Sequence, residues 1–238
     1  RINVTVMEDL GIELEEEGKS DATINRVTSA VSTVLNHCAR RDRCDKPPAF
    51  TKRKEDEHRL SYLSKDQFWR LHAAALDPYG RKDLADVMAV AAFTGMRQGE
   101  LLKIKCRDVS LGEGLIHVGG LPDQRTKARN YRAIPIHERI SSILSERLEY
   151  SNPNVRIFGD EWSDKDQLLR AFKKVRKYVG YEESIVFHTL RHSFATWHAE
   201  AGTPMRTLMG LTGHKRVETV LRYARHTDQA AVQAMSAI

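Results

Sequence analysis

No apolar run in this chain approaches the ~20 residues that a helix needs to span a bilayer. No signal-peptide pattern stands at its front, so a cytoplasmic protein with no membrane partner is expected. Cysteine is scarce: Cys38, Cys44 and Cys106 are odd in number and unpatterned in spacing, which suits reduced thiols rather than a disulfide framework. The spacing of His37, Cys38 and Cys44 matches no usual zinc-ligand pair. Internal repeats and low-complexity tracts are missing as well.

What is present is a charged, globular composition. The 238 residues are 41% hydrophobic and 29% charged, enough for one generous core or a domain plus a smaller one. A formal charge of +6 and a pI near 9.2 favour an anionic partner. The chain opens at Arg1 rather than Met and is therefore expected to be a fragment of something longer.

Periodicity divides the chain. An early helix is expected within 3–17, ending at Gly18, and a second over 20–43 from the capping residues Ser20 and Asp21. In the second, Ile24, Val27, Val31, Leu35 and Cys38 form the apolar face. Asn25, Arg26, Ser29 and Asn36 form a polar face able to lie along a phosphate backbone. Residues 48–60, rich in mixed charge after two prolines, read as a linker. A capping box at Ser64–Gln67 then opens a domain over 61–238, with Phe68, Leu71 and Leu76 on one helical face. Glycines punctuate short β-prone runs between 106 and 136, which predicts a small antiparallel sheet with Lys127 near the turn before its last strand. Helices are expected over 81–93, 138–149, 164–178, 188–201, 204–210, 216–224 and 228–237. The fold class is mainly α with a small antiparallel sheet.

Three separated segments carry the chemistry. They are Thr94-Gly95-Met96-Arg97-Gln98-Gly99-Glu100, His188-Thr189-Leu190-Arg191-His192, and Gly213-His214 followed nine residues later by Tyr223. A nucleophile attacking a phosphodiester needs the charge on the non-bridging oxygens held in place, and the planar fork of arginine suits that task. Arg97 and Arg191 are the candidates. A tyrosine phenol, with a pKa near 10, needs help to lose its proton, and the leaving oxygen needs an acid. His188 is placed to assist Tyr223, His214 to donate to the phosphate, and Lys127 to protonate the leaving group. Glu100 lies one turn after Arg97 and is expected to orient it. Arg26, Arg125 and Arg129 are candidate DNA contacts, while His192 reads as structural or as a support behind the catalytic groups rather than as catalytic. Nothing in this scheme calls for a metal, ATP or another cofactor. A zinc site on His188 and His192 lacks the glutamate and third ligand it would need.

These motifs, in this order, resemble those of the tyrosine recombinases, the phage integrase family. Thr94–Glu100 resembles the family's first-arginine motif, and Thr126-Lys127 ahead of Arg132-Ala133-Ile134-Pro135-Ile136 its lysine-bearing hairpin. His188–Arg191 resembles its His-x-x-Arg box, and Gly213-His214 with Tyr223 its last histidine and nucleophile. The resemblance implies a DNA breaking-rejoining catalytic domain over 61–238, ending in a tail helix that docks on a neighbouring protomer. It implies that residues 1–47 are part of the helical core-binding domain, without its first helices or an arm-type DNA-binding domain. The implied activity is site-specific recombination of duplex DNA through a 3′-phosphotyrosyl link. A homotetramer would act at attachment sites in a bacterial host cell, with possible accessory DNA-bending proteins. Trp197-His198 and Tyr223-Ala224-Arg225-His226 look more like temperate-phage and prophage integrases than chromosome-dimer resolving enzymes, and Thr212 departs from the family's usual residue ahead of Gly-His. Two other functions fit the same residues: a type IB topoisomerase-like relaxing enzyme, and a non-catalytic DNA-binding module.

Overall fold

A computed structural model describes residues 4–47, 51–54, 61–119, 131–149, 152–158, 161–162 and 164–224. The chain divides into two compact units, Arg1–Arg59 and Leu60–Ile238. The expected helix over 228–237 and the residues Arg125, Lys127 and Arg129 lie outside the described residues.

The first unit packs α1 (Val4–Glu16) against α2 (Asp21–Ala39), with Gly18 in the left-handed region between them (φ 74°). Met7 and Ile24 are buried in their contact. Asn25 belongs to this interior rather than to the expected polar face, being only 4% exposed. Its side-chain amide donates to the Arg53 carbonyl (2.9 Å) and its oxygen accepts from the Arg53 N–H (2.9 Å). The Arg53 guanidinium donates in turn to Glu15 (2.9 Å) and to the Gly11 carbonyl (3.1 Å). A residue of the mixed-charge stretch thus closes over both helices, because a paired asparagine offers a backbone segment the donor and acceptor that a helix face lacks. Arg26 and Asn36 stay exposed.

The second unit is organised around α4 (Lys82–Thr94), which is buried on nearly every side. Ala85, Ala89, Ala91 and Ala92 keep its surface low, so α3 (Lys65–Leu76), α6 (Glu138–Leu148), α7 (Lys165–Val179) and α8 (Thr189–Glu200) all pack on it. The Ser64–Gln67 capping box forms as expected, and Phe68 and Leu71 turn inward, while Leu76 ends up 44% exposed at the C-terminal end of α3. The buried Asp86 is satisfied by Arg147 (3.1 Å) and Lys82 (3.1 Å). Three strands, β1 (Val109–Ser110), β2 (Leu115–Val118) and β3 (Arg132–Pro135), form an antiparallel sheet in the order β1-β2-β3. Its register sets Ile116 opposite Ile134 and Val118 opposite Arg132, so one face feeds the core and carries Arg132 with it.

Helix α8 joins two interiors. Leu190 and Trp197 belong to the main core, and Ser193 and Trp197 hydrogen-bond the backbone of Leu63 at the start of the unit (2.8 Å each). Phe194 and Ala195 face a smaller cluster made with Leu208 of α9 (Met205–Thr212) and Val220 and Tyr223 of α10 (Val217–Ala224). The candidate nucleophile is therefore part of a satellite core.

Candidate active site

Gly95 ends α4 in the left-handed region (φ 61°), where a Cβ would collide with the Phe194 ring. This close approach of α4 to α8 delivers Arg97 to the front of the four-residue helix α5 (Gln98–Leu101) and sets it beside Arg191 in the first turn of α8. The Arg191 guanidinium, 3% exposed, donates to the carbonyls of Gly95 (2.6 Å) and Thr212 (2.7 Å), and to His214 Nε2 (2.9 Å). Its partners are carbonyls and an imidazole, not carboxylates. Burial, then the charge of Arg97, lowers its pKa to about 10, against a partial offset by Glu100, so it stays charged at neutral pH.

Glu100 organises the other side. Its carboxylate accepts from the Arg97 N–H (2.9 Å), Arg97 Nη1 (3.0 Å), Arg132 Nη1 (3.2 Å) and Arg132 Nη2 (2.7 Å). Burial alone would raise this carboxyl, but the bonds from Arg132 and the Arg97 backbone and the two guanidinium charges hold it at about 2. Arg132 also donates to the Leu211 carbonyl (2.9 Å) past Gly213, where a Cβ would stand 2.9 Å from the guanidinium. Arg97 Nη2 reaches the Gly213 carbonyl (3.3 Å), leaving a side chain 42% exposed to meet a ligand. Three guanidiniums thus converge with one carboxylate among them, an excess of positive charge that only an anion would balance.

The hydrogen-bond network assigns the state of His214. Arg191 can only donate, so Nε2 accepts. The Thr212 hydroxyl donates to the Leu208 carbonyl (2.6 Å) and so accepts from His214 Nδ1 (2.8 Å). The ring is neutral with its proton on Nδ1, in keeping with burial and the charges of Arg191 and Arg97, which lower its pKa to about 4. In this state Nε2 accepts from Arg191, so the donation to phosphate expected of His214 requires that nitrogen to gain a proton.

Tyr223 is 2% exposed, and its phenol oxygen lies 2.8 Å from His192 Nδ1. The His214 ring stacks loosely alongside, with centroids 6.3 Å apart. Burial raises the phenol pKa, against the opposing charge of Arg191. His188, expected beside the nucleophile, stands edge-on to His192 with ring centroids 4.7 Å apart, one turn back on the same face of α8. Burial and the nearby arginines lower its pKa, and burial with His188 and Arg191 lowers that of His192 to about 4.

The structure therefore brings together Arg97, Glu100, His188, Arg191, His214 and Tyr223. Arg26 lies in the first unit, and Lys127, Arg125 and Arg129 fall outside the described residues. Sequence reasoning named Arg132, His192 and Thr212 but gave none of them a place among the site residues. Strand alternation could have found Arg132, which shares the inward face with Ile134 and so had to have a buried partner. An open groove of about 850 Å³ leads away from Arg97 between Lys103, Lys105, Arg107 and Arg156.

Comparison with known proteins identifies the family. The family model described as Phage integrase family matches residues 61–230. The tyrosine recombinase XerD of Listeria innocua is 26% identical over 227 residues, covering 89% of this chain and 74% of its own length. The integrase of Escherichia phage P2 is also 26% identical, over 223 residues, covering 92% and 60%. The two relatives are equally similar, so the likeness does not single out the temperate-phage branch. The Tn1549 transposon integrase, solved in complex with a circular intermediate DNA, superposes with a TM-score of 0.77 at 16% identity, covering 99% of this chain and 85% of that one. The chain belongs to the phage integrase family, the tyrosine recombinases, and is an enzyme of site-specific DNA recombination.

Proposed function

We propose that Tyr223 is the nucleophile of this recombinase and that Arg97 and Arg191 clamp the phosphodiester it attacks, with duplex DNA as the partner. The observation that carries this reading is that the Tyr223 ring lies alongside His214 (centroids 6.3 Å), which Arg191 hydrogen-bonds (2.9 Å), close enough for the Arg191 charge to act on the phenol. Attack on phosphorus expels the 5′ oxygen and leaves the 3′ phosphate on tyrosine, which keeps the bond energy for rejoining. Glu100 and Arg132 hold Arg97 in register, and His214 donates to the phosphate once reprotonated. Lys127 supplies the proton to the leaving oxygen.

The groove beyond Arg97, with its four further cations, offers a path for the strand next to the scissile phosphate. Arg125 and Arg129, which lie outside the described residues, are proposed as further DNA contacts, and residues 1–47, with Arg26 exposed, as a partial core-binding domain. The apolar residues of the tail, Ala230, Val232, Met235 and Ile238, suit docking on a neighbouring protomer of a tetramer. Such an assembly would integrate and excise mobile DNA at attachment sites in a bacterial cytoplasm, with DNA-bending proteins assisting.

The test is a pool of nicked duplexes of randomised sequence, incubated with the chain in EDTA and resolved on a denaturing gel. A covalent protein–DNA adduct is expected, and it is expected to vanish in Tyr223→Phe. An adduct that persists in that variant, or no adduct from duplexes the protein is shown to bind, overturns the assignment.

A further inference from the structure

The last carbonyls of an α-helix have no partner within it, and its C-terminus carries roughly half an elementary negative charge. In α9 that end points into the arginine site. Three successive carbonyls accept from three different guanidiniums: Leu211 from Arg132 Nε (2.9 Å), Thr212 from Arg191 Nη2 (2.7 Å) and Gly213 from Arg97 Nη2 (3.3 Å). Arg132 and Arg191 are buried, whereas the Arg97 side chain is 42% exposed and makes the longest of the three bonds. Two guanidiniums are thus anchored on the helix end, and the third rests on it lightly.

Gly213 shapes this end in two ways. Its left-handed backbone (φ 69°) sends the amides of Gly213 and His214 back to the Met209 carbonyl (2.8 and 3.2 Å), which leaves the carbonyls of Leu211 and Thr212 to the arginines. Its missing side chain lets Arg132 pass, since a Cβ would stand 2.9 Å from Nη1 and 3.3 Å from Cζ. We infer that Gly213 is a positioning residue of the cleavage reaction, and that the carbonyl end of α9 which it shapes holds the arginine clamp in place before a phosphate arrives.

The charges decide what this helix end can do. Three guanidiniums beside the one Glu100 carboxylate leave two positive charges, of which a helix dipole offsets only about a quarter. The carbonyls therefore orient the arginines without replacing the anion that the site lacks. Arg97, the lightly held member, can turn its fork to a phosphate while Arg132 and Arg191 stay fixed. His214 is set by the same grip, because Arg191 Nη2 bridges the Thr212 carbonyl and His214 Nε2.

This inference rests on the tyrosine-cleavage reading above, and the test keeps the two apart. A duplex recovered from the randomised pool is made in two forms, one with an ordinary scissile phosphate and one with an uncharged methylphosphonate in its place. Gly213→Ala puts a Cβ against the Arg132 guanidinium, which can yield only by giving up its bonds to Leu211 and Glu100. Single-turnover strand cleavage by the variant, at saturating protein, should fall about 100-fold on the phosphate. On the methylphosphonate, which gives the arginines less charge to hold, it should fall no more than about threefold. A lesion that is merely structural lowers both rates alike. An equal deficit on the two duplexes, or near wild-type cleavage of the phosphate by the variant, overturns the role of Gly213 and leaves that of Tyr223 standing. Wild-type protein that yields no adduct from a phosphate duplex it binds overturns both.

If Gly213→Ala fails to fold, NMR of the wild-type protein decides. Slowly exchanging guanidinium hydrogens on Arg132 and Arg191, coupled through hydrogen bonds to the Leu211 and Thr212 carbonyls, support the inference. Guanidinium hydrogens that exchange freely with water overturn it.

Discussion

The two sides of the site are built by different physics. On the clamp side, Arg97, Arg132 and Arg191 are tied to one carboxylate, several carbonyls and an imidazole, and their elements rest on the large core around α4. On the nucleophile side, Tyr223 rides on the short helix α10, held by Phe194, Ala195, Leu208 and Val220 and by one hydrogen bond to His192. Charge held rigidly where it must stabilise a transition state costs no reorganisation during reaction. A nucleophile, by contrast, must move from a protonated, buried position to a bond with phosphorus. Many directional bonds suit the first task and a small apolar seat suits the second.

The sharpest way to break the clamp side is Arg191→Lys. The charge survives, but one ammonium cannot satisfy two carbonyls and an imidazole while also gripping phosphate. Single-turnover cleavage should fall by about 10²–10³, with much smaller loss of DNA affinity in a gel shift. Met88→Ala tests whether the large core can be weakened without touching chemistry. Met88 is fully buried in α4, so urea unfolding should show a loss of roughly 2–5 kcal/mol, while the cleavage rate of the folded fraction holds.

Glu100→Gln should cost about 1–3 kcal/mol at pH 7 by leaving two guanidiniums without their shared anion. The sign of its pH dependence follows from the depressed carboxyl. Its stabilisation is present above the unfolded pKa of 4.5 and is lost as pH falls toward about 2. The gap between wild type and Glu100→Gln in urea melts should therefore close between pH 4.5 and 2. His192 and His214 act earlier. Both are depressed from 6.5 to about 4, so the stability they add above pH 6.5 drains away as pH falls through 4, before Glu100 is protonated.

The smallest effect is expected from Thr212→Val, which removes the acceptor at His214 Nδ1. About 1 kcal/mol of stability and roughly tenfold in cleavage rate should be lost, with the defect following the tautomer of His214 in ¹⁵N spectra. A larger loss of DNA affinity than of rate would mean that Thr212 serves binding rather than the orientation of His214.

The site was readable where residue type and helical spacing suffice. Arg97 and Glu100 are three apart on one short helix, and their ion pair follows from that spacing alone. The capping box at Ser64, the arginine and histidine of α8, and the order of small strands and helices were visible for the same reason. The residues that escaped are polar groups whose partners come from elsewhere in the chain. Asn25 was placed on a wet face because its partner lies 28 residues away, and Arg132, though quoted with its strand, was given no role because its partner Glu100 lies 32 residues away. Between His188 and His192, spacing gives no preference, since both occupy the same stripe of α8.

By itself the sequence determined the kinds of chemical groups available, their order along the chain and the helices and strands that present them. These follow from local backbone preference and from apolar periodicity. Only the tertiary structure decided which imidazole meets the phenol, which way His214 carries its proton, and that Glu100 serves two arginines at once. Those outcomes depend on a few ångströms of packing between α4, α8, β3 and α10, and hydrogen bonds distinguish partners on that scale alone.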